Sequence, residues 1–231
     1  MSWIAQTLTS TIGRKLLIAL SGLFLITFLV IHLIGNLQLL QNDGGEAFNK
    51  YAHFMGVNPL IQTISIVNFS LILLHIVMGV VLTVRNRQAR PVGYAYSRPQ
   101  ENSTWASRNM GLLGTITLVF LVVHLRALWW RSKFGDIPMT SYGGDDYKDL
   151  YRITYEAFSI PWLVALYVVS MVGLAFHLSH GFASAFQTIG WRHPKYSPVI
   201  YHVGLAFSIL VPAAFAAIPV YVFLKQSGWF N

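Results

Sequence analysis

The chain contains no cysteine. That absence excludes disulfides, iron–sulfur clusters held by thiolates, and covalent haem attachment through C-x-x-C-H. Charge is also scarce. Only 10% of the 231 residues are charged, against about 25% in a soluble domain. The acids are Asp43, Glu46, Glu101, Asp136, Asp145, Asp146, Asp149 and Glu156. All fall between long apolar runs and none inside one. With 55% apolar residues, this is the composition of an integral membrane protein. The first apolar run is too long for a signal peptide and no A-x-A-like site follows it, so no cleaved leader is expected.

The net charge of +8 does not point to nucleic acid. The basic residues flank the apolar runs, as membrane topology requires. A nucleic-acid binder would gather them on a soluble face.

A hydrocarbon core of about 30 Å needs roughly 20 apolar residues as helix. Five stretches qualify: 14–40, 59–84, 108–131, 157–188 and 197–225. The runs are long and lack period-2 alternation, which argues against strands. The expected fold is an all-α bundle of five transmembrane helices, forming a single domain over 1–231. Pro59 and Pro161 sit near helix starts, where a missing N–H costs little. Pro212 and Pro219 fall inside the fifth span and predict a kink. One side of the bundle collects Arg14, Lys15, Arg85, Arg87, Arg90, Arg98, Arg108, Arg192 and Lys195. The positive-inside rule therefore puts the N-terminus in the cytoplasm and the C-terminus outside. The longest outer segment, "GDIPMTSYGGDDYKD", reads as an irregular surface loop.

Four histidines lie well inside the first four spans, one in each: His32, His75, His124 and His177. A single histidine in a membrane helix usually bonds a neighbouring helix. One on each of four successive helices points to a metal or cofactor. "FLVIHL" and "FLVVHL" even repeat the same wording around His32 and His124. Depth separates the four into two levels. His32 lies 18 residues beyond Arg14, roughly 27 Å from the inner side, and His124 lies 16 beyond Arg108, about 24 Å. His75 precedes Arg85 by 10 residues and His177 precedes Gln187 by 10, so both sit about 15 Å from that side.

Two imidazoles at one depth match the two axial positions of a haem iron, and such ligation leaves no open site. Zinc needs more ligands than two per level, and the spans supply no acid or thiolate. Gly79, Gly173 and Gly181 each lie four residues from a histidine of the inner level, on its face of the helix. They would leave room for a flat macrocycle, or serve close helix packing. His180 is a rival ligand, or a partner for a haem propionate. His53 in the first outer loop, His193 in the last inner loop, and His202 in the fifth span without a partner at matching depth read as structural.

Taken together, "SGLFLITFLVIHLIGN", "GGEAFNKYAHFM", "LILLHIVMGVVL", "GTITLVFLVVH" and "AFHLSHGFASAFQTIGWRHPKYSP" carry a resemblance that covers essentially the whole chain. It resembles the di-haem cytochrome b membrane anchors of succinate:quinone oxidoreductases, the succinate dehydrogenase and fumarate reductase complexes with a five-helix anchor. The resemblance implies two haem b groups, a distal one on His32 and His124 and a proximal one on His75 and His177. It also implies a flavoprotein subunit and an iron–sulfur subunit as partners, and electron exchange with membrane quinone, menaquinone fitting better than ubiquinone. It implies a bacterial cytoplasmic membrane. The chain itself has no flavin site and no dicarboxylate active site. The inner basic residues Arg85, Arg87, Arg90, Arg98 and Lys195 are expected to dock the iron–sulfur subunit.

Further site residues follow. Asn36, one turn beyond His32, and Glu46, in the loop after it, are the quinone candidates. Arg14, Arg108, Ser21 and His180 are the propionate candidates. Some relatives have an acid two residues before the fourth-helix histidine; here that residue is Ala175, which argues against a transmembrane proton path. Two other readings stay open. One is a di-haem cytochrome b anchor of a hydrogenase or formate dehydrogenase. The other is a haem-free transporter with a histidine relay, which would need acids or broken helices near the midplane.

Overall fold

The first fifty residues are punctuated by polar caps. In the computed structural model, which describes residues 2–89, 92 and 98–229, the Ser2 hydroxyl accepts from Ala5 N–H and starts α1 (Trp3–Thr9). Ser10 then both ends α1 and starts α2 (Thr11–Leu37), its hydroxyl accepting from Gly13 N–H at 3.0 Å. A single 3₁₀ turn (Gln38–Leu40) follows. Asp43 accepts from the N–H groups of Gly45 and Ala47 and opens α3 (Glu46–Val57), a short helix where a loop was expected. Asn58 caps α4 (Pro59–Gln88), with Pro59 in the first turn.

After the short helices α5 (Pro99–Asn102) and α6 (Trp105–Arg108), the third span begins with α7 (Met110–His124). It continues through one π-helical turn (Leu125–Trp129) into α8 (Trp130–Phe134). The π turn opens directly after His124, a placement common at functional sites. The following segment is not irregular. Met139–Tyr142 (β1) and Asp145–Lys148 (β2) form an antiparallel hairpin. Gly143 and Gly144, at φ +65° and +96°, make the two-residue turn that the twist of a hairpin favours. The Gly-Gly pair outweighs the polar composition that suggested a loop.

Next come α9 (Leu150–Phe158), α10 (Pro161–Thr188) and α11 (Ser197–Gln226). The fourth span therefore starts at Pro161 rather than at residue 157, because α9 is a separate helix ended by Ser159. α11 runs on through Pro212 and Pro219, both fully buried, with no break between Ser197 and Gln226.

Five helices are long and apolar enough to cross a membrane: Thr11–Leu40, Pro59–Gln88, Met110–Phe134, Pro161–Thr188 and Ser197–Gln226. Their outward faces carry exposed Leu73, Val77 and Val80 on α4, Val119 and Val122 on α7, and Val169 and Val172 on α10. Apolar surface on that scale suits lipid, not water. Packing joins α2 to α4, α4 to α7, α7 to α10 and α10 back to α2. These four spans close a ring in which α2 faces α7 and α4 faces α10. α11 packs on α10 and also on α2, its Phe215 ring 5.6 Å from His32.

The ring has a basic end, bearing Arg14 and Arg108, and a hairpin end. At the hairpin end, Leu39, Phe158, Leu163, Val164, Tyr167, Ile218 and Val222 form the largest buried cluster. Asn49, 1% exposed, ties that end together. Its amide donates to Tyr142 Oη and Asp149 Oδ1, and its carbonyl accepts from Tyr151 N–H.

Candidate functional site

Each of the four ring helices presents its span histidine inwards, and the histidines meet across the diagonals. His32 on α2 and His124 on α7 have ring centroids 5.8 Å apart at an interplanar angle of 90°. His75 on α4 and His177 on α10 are 6.3 Å apart at 65°. The structure therefore brings together the pairs that the depth count matched.

Two imidazoles bonded to opposite sides of one metal, with bonds of about 2.0–2.1 Å, place their ring centres roughly 6 Å apart. Both separations suit that arrangement. Among the described residues no group of three or more His, Asp or Glu side chains gathers around either pair or elsewhere. Two imidazoles alone are too few for zinc. They suffice for an iron whose other four ligands come from a macrocycle.

The surroundings of the pairs add to the fit. Among the described residues, three buried side-chain polar atoms lack any hydrogen-bond partner: Arg14 Nη1, Asn68 Oδ1 and His177 Nδ1. All belong to ring helices. Buried polar groups are ordinarily paired, so these point to a polar ligand group in the ring. Asn68 lies seven residues before His75, on the same face of α4 and two turns nearer the hairpin end. Arg14 lies seven residues before Ser21, two turns nearer the basic end.

Two glycines border the basic-end pair. A Cβ at Gly22 on α2 would lie 3.3 Å from His75 Cε1, and one at Gly114 on α7 would lie 4.0 Å from His177 Cε1. The glycines expected to provide clearance or close packing divide between the two. A Cβ at Gly173 would press on Ile116 at 2.9 Å, so Gly173 serves close packing of α10 on α7. Gly181 has nothing within 4 Å and Gly79 only Ile18.

One imidazole of each pair is anchored. The Tyr167 hydroxyl lies 3.0 Å from His124 Nδ1. The Ser21 hydroxyl lies 3.1 Å from His75 Nδ1 and also donates towards Leu17 O and Ile18 O. Both anchors leave Nε2 as the free nitrogen. Ser21, expected at a propionate, thus sits behind a ligand candidate instead.

The other expected residues disperse. The Asn36 amide folds back on its own helix, donating to His32 O at 2.7 Å with long contacts of 3.4 and 3.5 Å to the ring. Glu46 is ion-paired with Lys50 at 2.6 Å, and that bond raises the Lys50 ammonium pKa. Arg108 is exposed and donates to Ser103. His180 is half-buried one turn beyond His177. His53 packs edge-on against Tyr147, His193 Nδ1 accepts from Lys195 N–H, and His202 is exposed beside Tyr201.

At the basic end, Arg85, Arg87 and Lys195 are exposed and Arg98 pairs with Glu101 at 3.1 Å; Arg90 lies outside the described residues. At the hairpin end a cleft of about 460 Å³ is lined by Val122, Arg126, Arg131, Glu156, Trp162 and others. Arg152, with Arg131 beside it, holds the Glu156 carboxyl below the usual carboxylate range.

Tyr167, Gly22, Gly114, Asn68 and Arg126 went unnoticed in the sequence. The depth count applied to the histidines would have found four of them, among them Arg126, eighteen residues beyond Arg108 and so at the outer level. Gly22, eight residues beyond Arg14, falls at the inner level. Tyr167, ten before His177, and Asn68, seven before His75, fall at the outer one.

The fold and the two imidazole pairs define a five-helix membrane bundle with paired histidines at two levels. Among curated proteins, the chain is similar to the succinate dehydrogenase cytochrome b558 subunit of Bacillus subtilis (strain 168). The two are 28% identical over 166 residues, which cover 71% of this chain and 72% of the relative. No protein-family model and no solved structure matches the chain. Five apolar helices of spanning length, together with this similarity, support an integral membrane protein.

Proposed function

We propose that this chain is the membrane anchor and electron-transfer subunit of a succinate dehydrogenase or fumarate reductase complex, and that it holds two haem b groups. The observation that carries this reading is the pair of imidazole couples, 5.8 and 6.3 Å between ring centroids, at two levels of one helix ring. His32 and His124 would hold the iron at the hairpin end, and His75 and His177 the iron at the basic end. Bound there, haem supplies one-electron transfer between an iron–sulfur partner and membrane quinone, with no open iron position for oxygen chemistry.

The chain's own residues supply position and insulation. Four helices present the imidazoles from opposite sides, and Tyr167 and Ser21 orient one ring of each pair before an iron arrives. Gly22 and Gly114 keep side chains off the basic-end imidazoles. Arg14, whose Nη1 is buried without a partner, is the cation for a haem carboxylate at that end. The apolar ring wall excludes water from both levels.

The basic end faces the cytoplasm by the positive-inside rule, in a bacterial cytoplasmic membrane. It docks the iron–sulfur subunit, which in turn carries the flavoprotein subunit. Quinone, with menaquinone the favoured type, exchanges electrons at the hairpin end. Asn36 and Glu46 are both occupied within the chain, so neither carries an argument for the quinone site.

A reduced-minus-oxidised spectrum of the purified chain tests the cytochrome reading. A b-type haem band is expected, and its absence would sink the reading in favour of a haem-free transporter. Copurification of succinate dehydrogenase activity is the expected result against a hydrogenase or formate dehydrogenase anchor.

A further inference from the structure

Tyr167 belongs to α10, the helix that carries His177, yet its hydroxyl reaches the other histidine pair. The side chain is 5% exposed. Its ring is held edge-on between Phe120, with centroids 4.9 Å apart, and Phe158, at 5.1 Å. That packing fixes the phenol so that Oη meets His124 Nδ1 at 3.0 Å. A phenol oxygen both donates and accepts.

We propose that Tyr167 is the positioning residue of the hairpin-end site, its phenol oxygen accepting a hydrogen bond from His124 Nδ1–H so that Nε2 is presented to the iron. The inference rests on the haem reading above. An imidazole metallated on Nε2 carries its remaining hydrogen on Nδ1, and the partner of that hydrogen fixes the tautomer and ring orientation. Such a partner also raises the basicity of the ligand. A more electron-donating ligand favours ferric over ferrous iron, so Tyr167 lowers the reduction potential of the hairpin-end haem. Ser21 holds the equivalent place behind His75. His177 Nδ1 has no partner. The helix α10 thus serves both levels, through His177 at one and Tyr167 at the other.

Tyr167→Phe removes one oxygen and keeps the ring between its two phenylalanine neighbours. The measurement is a redox titration of the haem bands in the purified complex. The expected result is two bound haems, with the potential of the hairpin-end haem raised and that of the basic-end haem unchanged. Ser21→Ala should leave the hairpin-end potential unaltered. The haems are assigned in a His124→Ala background, which keeps only the basic-end haem; there Tyr167→Phe should shift nothing.

Loss of the hairpin-end haem alone in Tyr167→Phe also supports the positioning role. Should the variant lose both haems, fluorotyrosine at position 167 replaces it. Its phenol is a weaker acceptor, and a raised hairpin-end potential supports the assignment. An unchanged hairpin-end potential in a variant with both haems bound overturns the assignment and leaves the haem reading intact. A wild-type chain without haem overturns both.

Discussion

His75 and His177 face each other across the diagonal of the helix ring at 6.3 Å between ring centroids, and a Cβ at Gly22 would lie 3.3 Å from the first of them. The clearance beside that imidazole is thus set by a residue with no side chain. Gly22→Leu should push the His75 ring aside and lose the basic-end haem while the hairpin-end haem stays. Haem-to-protein ratio checks this, with a fall from two to one expected. Gly173→Ala instead meets Ile116 at 2.9 Å. It should keep both haems and lose about 1–3 kcal/mol of stability by overpacking.

Asn68 has its carbonyl oxygen buried without a partner. An unsatisfied buried group costs about 1–3 kcal/mol. If a ligand at the hairpin-end level completes its hydrogen bonding, Asn68→Leu should stabilise the haem-stripped chain by about that amount and weaken haem retention at the hairpin end. Unfolding of stripped and loaded chains in mixed detergent gives the two numbers. Stabilisation of both forms alike would show that the amide serves no ligand.

The fold was legible in the sequence wherever one physical requirement dominated. Twenty apolar residues without an acid make a spanning helix, and the five spans lie close to their expected bounds. The histidine pairs were legible because a regular rise per residue turns sequence distance into depth. Ser21 was misplaced for a related reason. The count gave its depth but not the neighbouring helix it faces, and α4 brings His75 against it. The hairpin was missed because "SYGGDDYK" is polar on both strands. The Gly-Gly turn was its only signal. Asn36 and Glu46, the expected quinone contacts, have local partners that the depth count could not show, the α2 backbone and Lys50.

Asn49 organises the hairpin end and touches neither histidine pair. Asn49→Ala leaves Tyr151 N–H without its partner, while Asp149 Oδ1 keeps Arg152 N–H, and loses three hydrogen bonds at about 0.5–1.5 kcal/mol each. Thermal unfolding should show a loss of about 2–4 kcal/mol, with the haem potentials unmoved.

Glu156 pairs with Arg152 at 3.0 Å and Arg131 at 3.3 Å. Its folded pKa is lowered, chiefly by the Arg152 hydrogen bond. The contribution to stability is therefore complete above the unfolded carboxylate pKa and disappears as pH falls through the lowered folded value. All three side chains are well exposed, so the contribution is about 0–1 kcal/mol. Glu156→Gln should flatten that acid limb of the stability curve and leave neutral-pH haem content unchanged.

The pairing across the two diagonals is tested most directly by counting haem in double histidine variants. His32→Ala with His124→Ala should retain one haem per chain, because both changes strike one site. His32→Ala with His177→Ala should retain none, because each change strikes a different site. Equal haem content in the two double variants, or two haems surviving in either, would contradict the account.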